Sequence, residues 1–454
     1  MGVKSAPSPS PAELASTQRL VLTRAEGLYV WDSEGRRYLD ATSGAFCVQL
    51  GYTRPDLVRA MAEAASRLPH ARPSQFDSEE SAAYKRELLG AAGAPYSRAI
   101  LTSSGSEAVE VALKIAYRYQ RAVGHPERKA TRYLRGHYHG ATLGALGVTG
   151  WGMRRAPYEG LVGLSTGAAP GPDVGPAGGA GPVSESSVEP VAAMILETIP
   201  AAGLGAVVPP LGFLSRVRAQ CDEAGALWIA DEVLTGFGRV GALFAWQRLR
   251  ERHAPNGSTP DSGARPDVVV FGKGAGAGFA PLAGVLVTNK VAEALDADGF
   301  THFQTYGGNP IACAVGRRVL RAMAEERIEA SVQAAEPWLE DALRPVSGLS
   351  SVRQLRGIGY LWGIELTEDR RGGPFPRKQR VAERVAEACR DRGVLVHAGA
   401  ASADGERSDF ILIAPPLVTP KGDFGTIAGA VADSIQSSLL AGKEHKTKKE
   451  AHRG

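Results

Sequence analysis

The stretch Pro266-Asp-Val-Val-Val-Phe-Gly-Lys-Gly-Ala-Gly-Ala-Gly-Phe-Ala-Pro281 constrains the fold most. Val268 to Phe271 is an unbroken run of β-branched and aromatic residues, which reads as a buried strand. It stops at Gly272, and one lysine, Lys273, follows in a loop carrying Gly272, Gly274, Gly276 and Gly278. An ammonium is normally solvated, and burying it is costly unless it is paired or neutralised. Desolvation lowers its pKa, and a neutral amine can form an imine with an aldehyde cofactor. The glycines admit close approach of backbone and cofactor. The bland alternative is a glycine-rich turn with an exposed lysine, and this motif alone leaves both readings open.

Two further motifs bear on that choice. Trp228-Ile-Ala-Asp-Glu-Val-Leu-Thr-Gly-Phe-Gly-Arg239 reads as an apolar strand ending in Asp231 and Glu232. A carboxylate at the carboxyl end of a core strand lies where α/β proteins bind ligands, and there it can hold a cationic ring nitrogen. Its alternative is a helix cap or a surface ion pair. In Ala99-Ile-Leu-Thr-Ser-Ser-Gly-Ser-Glu-Ala-Val-Glu110 a strand runs into Ser103–Ser106 and an amphipathic helix follows. Free amides at a helix N-terminus, hydroxyls and the helix dipole make an anion site, with phosphate its natural occupant. Taken alone, this is also an ordinary serine-capped helix.

Phosphate cradle, aspartate and lysine occur together and in that order. With Val30-Trp-Asp-Ser-Glu-Gly-Arg-Arg-Tyr-Leu-Asp40, Ser43-Gly44, Ser104-Gly-Ser-Glu-Ala108, Tyr138-His-Gly140, Asp231-Glu-Val233, Gly236-Phe-Gly-Arg239, Gly272-Lys273, Thr305-Tyr-Gly-Gly-Asn-Pro310 and Ala414-Pro-Pro-Leu417, the chain resembles the class III (ω-type) pyridoxal phosphate aminotransferases of fold type I. The resemblance runs from about residue 29 to about residue 440.

The resemblance implies the following roles. Lys273 would form the internal aldimine with pyridoxal 5'-phosphate and shuttle the substrate's proton, and Asp231 would pair with the pyridinium nitrogen. Ser104, Gly105 and Ser106 would hold the phosphate. Tyr138 would stack on one face of the ring and Val233 would pack on the other. Thr305 would reach the phosphate of a neighbouring subunit, which makes the expected assembly a homodimer with composite sites. Glu197 stands where the family has a Glu-Pro-x-Gln strand end, although the local sequence is Leu-Glu-Thr-Ile-Pro.

The chain also departs from the family pattern. Ala141 follows Tyr138-His-Gly140 where many ω-amino-acid members carry arginine. His397 lies in the stretch before Ala414-Pro-Pro-Leu417 where a carboxylate-binding arginine is often found, and Arg407 sits nearby in a polar loop. Without a guanidinium fork the far end of the substrate would meet an apolar or neutral pocket including Phe46 and Trp151. The competing expectation is that Arg154, Arg155 or Arg407 swings in and restores carboxylate recognition.

Composition narrows the remaining classes. The four cysteines, Cys47, Cys221, Cys313 and Cys389, have neither CxxC nor metal spacing and read as reduced thiols. His137 and His139 flank Tyr138, but an HxH without a third ligand reads as packing, so no metal is expected. No apolar run reaches the ~20 residues of a membrane span, and the N-terminus shows no signal-peptide core, so a cytoplasmic enzyme is expected. The net charge of +4 is concentrated in Lys443–Gly454, with no aromatic platform for nucleic acid.

The expected fold is α/β. Residues 1–16 and 441–454 are expected to be disordered tails, the latter basic. Residues 17–75 would form an N-terminal segment of the small domain with a hairpin turning at Ser33–Gly35. Residues 76–320 would form a large cofactor-binding domain, a mainly parallel seven-stranded-type sheet flanked by helices. Residues 321–440 would complete the small α+β domain. The Gly-, Ala- and Pro-rich Leu164–Pro182 would be a loop near the site or disordered. The expected activity is amino transfer between an amine or amino-acid donor and a keto-acid or aldehyde acceptor. The same site would also serve an aminomutase, racemase, decarboxylase, lyase or C–C bond-forming enzyme.

Overall fold

The computed structural model describes residues 20–166, 169–170, 190–254, 256–368, 373–400 and 409–451. The expectations for residues 1–16, for most of 164–182 and for Arg407 fall outside them.

A seven-stranded sheet forms the centre. Its order is Tyr96–Thr102, Ala283–Thr288, Val268–Phe271, Leu227–Asp231, Val191–Glu197, Ala130–Tyr133 and Ala169–Pro170. Ala283–Thr288 runs antiparallel to both its neighbours. From Val268–Phe271 outward every pairing is parallel. Every residue of Val191–Glu197, Leu227–Asp231, Val268–Phe271 and Ala283–Thr288 is buried. Continuous apolar runs belong to strands covered on both faces, and the core divides accordingly. Val268, Val270, Ile229 and Ile195 pack with Val109, Ala112 and Ile115 of the helix Gly105–Ala122. The alternate residues Val269, Phe271, Trp228 and Met194 face a second cluster with Phe213, Val315 and Val319.

Two smaller sheets flank this centre. The expected hairpin is present as Tyr29–Asp32 against Arg37–Asp40, extended by the strand Leu22–Glu26. Arg37–Asp40 also pairs in parallel with Val394–Leu395, which joins the two ends of the chain in one sheet. The other sheet is antiparallel, in the order Val352–Ile358, Leu361–Leu366, Asp409–Ile413 and His397–Ala400. The last helix, Lys421–Ala451, enters the segment read from sequence as a basic tail. Ala169–Pro170, inside the Gly/Ala/Pro-rich stretch, forms the edge strand beside Arg132–Tyr133.

The directions of these strands matter for function. Tyr96–Thr102, Ala130–Tyr133, Val191–Glu197, Leu227–Asp231 and Val268–Phe271 all end on one edge of the sheet. Loops outside that carboxyl edge are where open α/β sheets gather their ligands.

Candidate active site

Each chemically notable residue follows one of those strand ends. Lys273 opens the one-turn 3-10 helix Lys273–Gly276 after Val268–Phe271, with φ of 41°. A non-glycine residue in the left-handed region is strained, and such outliers cluster at functional sites. Gln49 braces the turn, its Nε2 donating to the carbonyl oxygens of Gly274 at 2.7 Å and Phe237 at 3.3 Å. Burial pushes the Lys273 ammonium below its ordinary pKa, against the opposing pull of Asp231, Glu197 and Cys47.

Asp231 and Glu197 end adjacent parallel strands in matched register, and they are only 5% and 6% exposed. Asp231 Oδ1 accepts from the Val233 amide at 3.0 Å, and Oδ2 lies 2.7 Å from His139 Nδ1. His139 therefore holds the aspartate, a role the sequence reading missed when it treated the HxH pair as packing. The available signal was the position of His139 in Tyr138-His-Gly140. His137 also has a defined partner, since its Nδ1 accepts from the Glu197 amide at 2.9 Å. The described residues contain no group suited to a metal ion.

Glu197 accepts from the Tyr138 amide at 2.8 Å and from the Ala201 amide at 3.5 Å. Burial first, and the Asp231 charge second, push its carboxyl up to about 8. Glu232, by contrast, points away into structure. It accepts from Thr198 Oγ1 at 2.7 Å, from the Ala245 and Trp246 amides at 2.9 and 2.8 Å, and from the Thr235 hydroxyl. These bonds cap the helix Ala245–Arg250, so the two consecutive acids do different work.

The serine-capped helix start forms as its sequence suggests. Ser104 is the N-cap of Gly105–Ala122 and accepts from the Glu107 amide at 3.3 Å, while Glu107 accepts from the Ser103 amide at 2.9 Å. This reciprocal cap leaves the first-turn amides of Gly105 and Ser106 without intrahelical partners. Ser106 Oγ accepts from the Ala141 amide at 3.1 Å. A Cβ on Gly105 would stand 2.9 Å from Val233 Cγ1, so glycine lets the cradle close on Val233.

A set of rings lies nearby. Tyr138 and Trp151 meet nearly perpendicular, with centroids 6.0 Å apart. Phe46 and His397 meet edge-on at 5.3 Å. Burial lowers the His397 pKa, and the cations Arg154 and Lys273 lower it further. His397 thus feels the Lys273 charge with Phe46 against it, and Tyr138, whose amide bonds Glu197, has Trp151 against its ring. Thr305 is exposed on the loop before the helix Pro310–Glu325 and has no hydrogen-bond partner among the described residues.

The residues present fit pyridoxal phosphate. A buried aspartate beside a lysine suits a cationic ring nitrogen, and the free amides of Gly105 and Ser106 suit a phosphate. The Aminotransferase class-III family profile matches residues 12–433. The acetylornithine aminotransferase of Xylella fastidiosa is 35% identical, over 83% of this chain and 85% of its own. The crystal structure of an (S)-enantioselective omega-transaminase from Thermomicrobium roseum superposes with a TM-score of 0.83 at 31% identity, covering 96% of each chain. An amine transaminase from an uncultivated Pseudomonas species, in its PLP-bound internal aldimine form, superposes at 0.82 with 27% identity, covering 97% of this chain and 99% of that one. Strand-end lysine and aspartate, capped cradle and near full-length similarity converge: the chain belongs to the class-III aminotransferases, pyridoxal phosphate-dependent transferases of fold type I.

Proposed function

We propose that Lys273 and Asp231 carry the amino transfer of this enzyme, with Ser104, Gly105 and Ser106 holding the cofactor's phosphate and Tyr138 and Val233 enclosing its ring. The observation that carries this reading is the placement of Lys273 and Asp231 after adjacent parallel strands, each tied down by its own hydrogen bonds or turn. Bound pyridoxal phosphate supplies an aldehyde to capture the donor's nitrogen and a ring to accept the electron pair left at Cα. Asp231 is fixed by His139 and the Val233 amide, and from there it would hold a ring nitrogen in its charged form. Burial makes the Lys273 amine easier to free of its proton, so its Nζ would be able to remove the substrate's Cα proton and deliver it to the carbon on the other side of the donor's nitrogen. Phe46, Trp151, Glu197 and His397 line the remaining walls.

Two further parts of the reading concern the whole enzyme. The loop bearing Thr305 exposes Phe303 and Tyr306 to 55% and 64%. Together with exposed Phe76, this apolar surface supports a homodimer in which Thr305 completes the partner's phosphate site. The four free cysteines, three of them buried, support a reducing compartment such as the cytoplasm. No helix among the described residues is long and apolar enough to cross a membrane.

A donor panel on the holoenzyme tests the reaction. With donor alone, the absorbance of the lysine-bound cofactor should give way to that of pyridoxamine phosphate. A return to the starting spectrum with every donor would favour racemase, lyase or other carbanion chemistry instead. Lys273→Ala should abolish the borohydride-trapped adduct and turnover, and an adduct mapping to another lysine would overturn the assignment.

A further inference from the structure

Two residues of the lysine turn lie in the left-handed region without being glycine, Lys273 at φ 41° and Ala277 at φ 47°. Such a backbone persists only where its surroundings hold it there. Within the turn, the Ala275 amide donates to Gly272 O at 3.0 Å and the Ala277 amide to Gly274 O at 3.1 Å. These bonds close the turn on itself and tie it to nothing else. Among the described residues, the side chain that bonds the backbone of Gly272–Gly278 is Gln49, whose Nε2 donates to Gly274 O at 2.7 Å. The same nitrogen donates to Phe237 O at 3.3 Å, so both of its hydrogens are used.

The place of Gln49 is itself fixed. It is 2% exposed, and its own carbonyl accepts from the Leu417 amide at 2.7 Å. It follows the turn Ser43–Phe46, where Ser43 and Phe46 are left-handed at φ 49° and 64°. Glycine at 274 makes room for the amide, since a Cβ there would overlap Gln49 Nε2. At Gly278, with φ of 80°, a Cβ would stand 2.6 Å from Val48 Cγ2. Val48 and Gln49 thus seat the lysine turn at two points.

We propose that Gln49 is a positioning residue for the amino transfer: by holding the Gly274 carbonyl it fixes the left-handed backbone of Lys273, and with it the direction from which Nζ meets the substrate. The inference rests on Lys273 being the reacting amine. A turn relaxed to negative φ swings the Cα–Cβ bond of Lys273 and carries Nζ, at the end of a long side chain, off the line to the substrate's Cα. Proton transfer tolerates little misplacement, whereas the contacts that bind the substrate lie on other residues. Loss of Gln49 therefore falls on the chemical step and spares binding.

The test uses Gln49→Met, which keeps the length and removes the donor, and Gln49→Glu, whose carboxyl can donate only when protonated. Apoprotein crystals of Q49M should show Lys273 at negative φ where wild type keeps it positive. Single turnovers of the holoenzyme are run with the most reactive amine of the donor panel. Q49M should lower the maximal rate about 10- to 100-fold, with the half-saturating concentration changed less than about threefold. The rate of Q49E relative to wild type should rise as pH falls, because protonation restores the donor. A Q49M enzyme with the wild-type maximal rate overturns the proposal even where its urea midpoint has fallen. So does a Lys273 that stays left-handed without the amide, or a Q49E ratio that is flat with pH. Should Q49M not fold, Q49E at high and low pH carries the same test. If no amine of the panel reacts, the aminotransfer reading fails, and the apoprotein crystals still decide what Gln49 holds.

Discussion

Asp231 and Glu197 show how far one site can separate two carboxylates. Asp231 is pinned by a ring nitrogen and an amide, whereas Glu197 accepts from two amides and is buried beside a like charge. Asp231→Asn should leave cofactor bound and lower the single-turnover rate by about 100-fold or more, because a neutral pyridine is a poor electron sink. Near-normal single-turnover rates would contradict the role. His139→Phe should lower kcat about tenfold with little change in KM, since Asp231 keeps its Val233 bond. Glu197 carries a pH signature. Its folded pKa is raised from 4.5 to about 8, so between those values the native apoprotein holds a proton that the unfolded chain has released. Stability should therefore fall as pH rises through that window, and Glu197→Gln should flatten the fall in urea titrations of the apoprotein. A wild-type profile unchanged by E197Q would sink this account. Lys273, Asp231 and the serine cradle were legible because each combines an unusual residue with a strand end or a helix start. His139 was not, because its partner lies 92 residues away.

Loops and short turns do the joining between elements. Arg239, 1% exposed, donates to the carbonyl oxygens of Tyr360 at 3.3 Å and Pro415 at 2.5 Å and to Ser43 Oγ at 3.0 Å. Ser43 Oγ in turn donates to the Ala414 carbonyl at 2.5 Å, and the Leu417 amide donates to Gln49 O at 2.7 Å. Since Gln49 also holds the Gly274 carbonyl, this clamp reaches the turn that presents Lys273. The motifs Ser43-Gly44, Gly236-Phe-Gly-Arg239 and Ala414-Pro-Pro-Leu417 were recognisable as family marks. Their physical reason appeared only when the fold brought them together. Desolvation lowers the Arg239 pKa to about 10 against the opposing pull of Cys47, Asp40 and Tyr360, the expected consequence of burying a guanidinium among carbonyl and hydroxyl acceptors. Arg239→Met should leave those acceptors unpaired and cost about 3 kcal/mol or more, read as a lower urea midpoint. An unchanged midpoint would show that the clamp contributes nothing.

At the scale of the molecule, exposed Phe76, Phe303 and Tyr306 beside an unbonded Thr305 lead to the assembly prediction. Light scattering should find a homodimer, and Thr305→Ala should weaken cofactor retention without dissociating the dimer. A fully active wild-type monomer would rule out the composite site. The sequence by itself determined the alternation of strands and helices, the burial of the central strands and the placing of Lys273 and Asp231 at strand ends and of Ser104 at a helix start. Those features are local: a run of Val and Phe, a serine before an amphipathic helix and a charge at a strand end carry their meaning within a few residues. Only the tertiary structure decided which groups share the site. Matched register puts Glu197 beside Asp231. A parallel pairing brings Val394–Leu395 to Arg37–Asp40 and joins segments some 350 residues apart. Ring contacts bring His397 to Phe46 and Trp151 to Tyr138. Such pairings follow from how side chains fill a common core, and no window of sequence contains both partners.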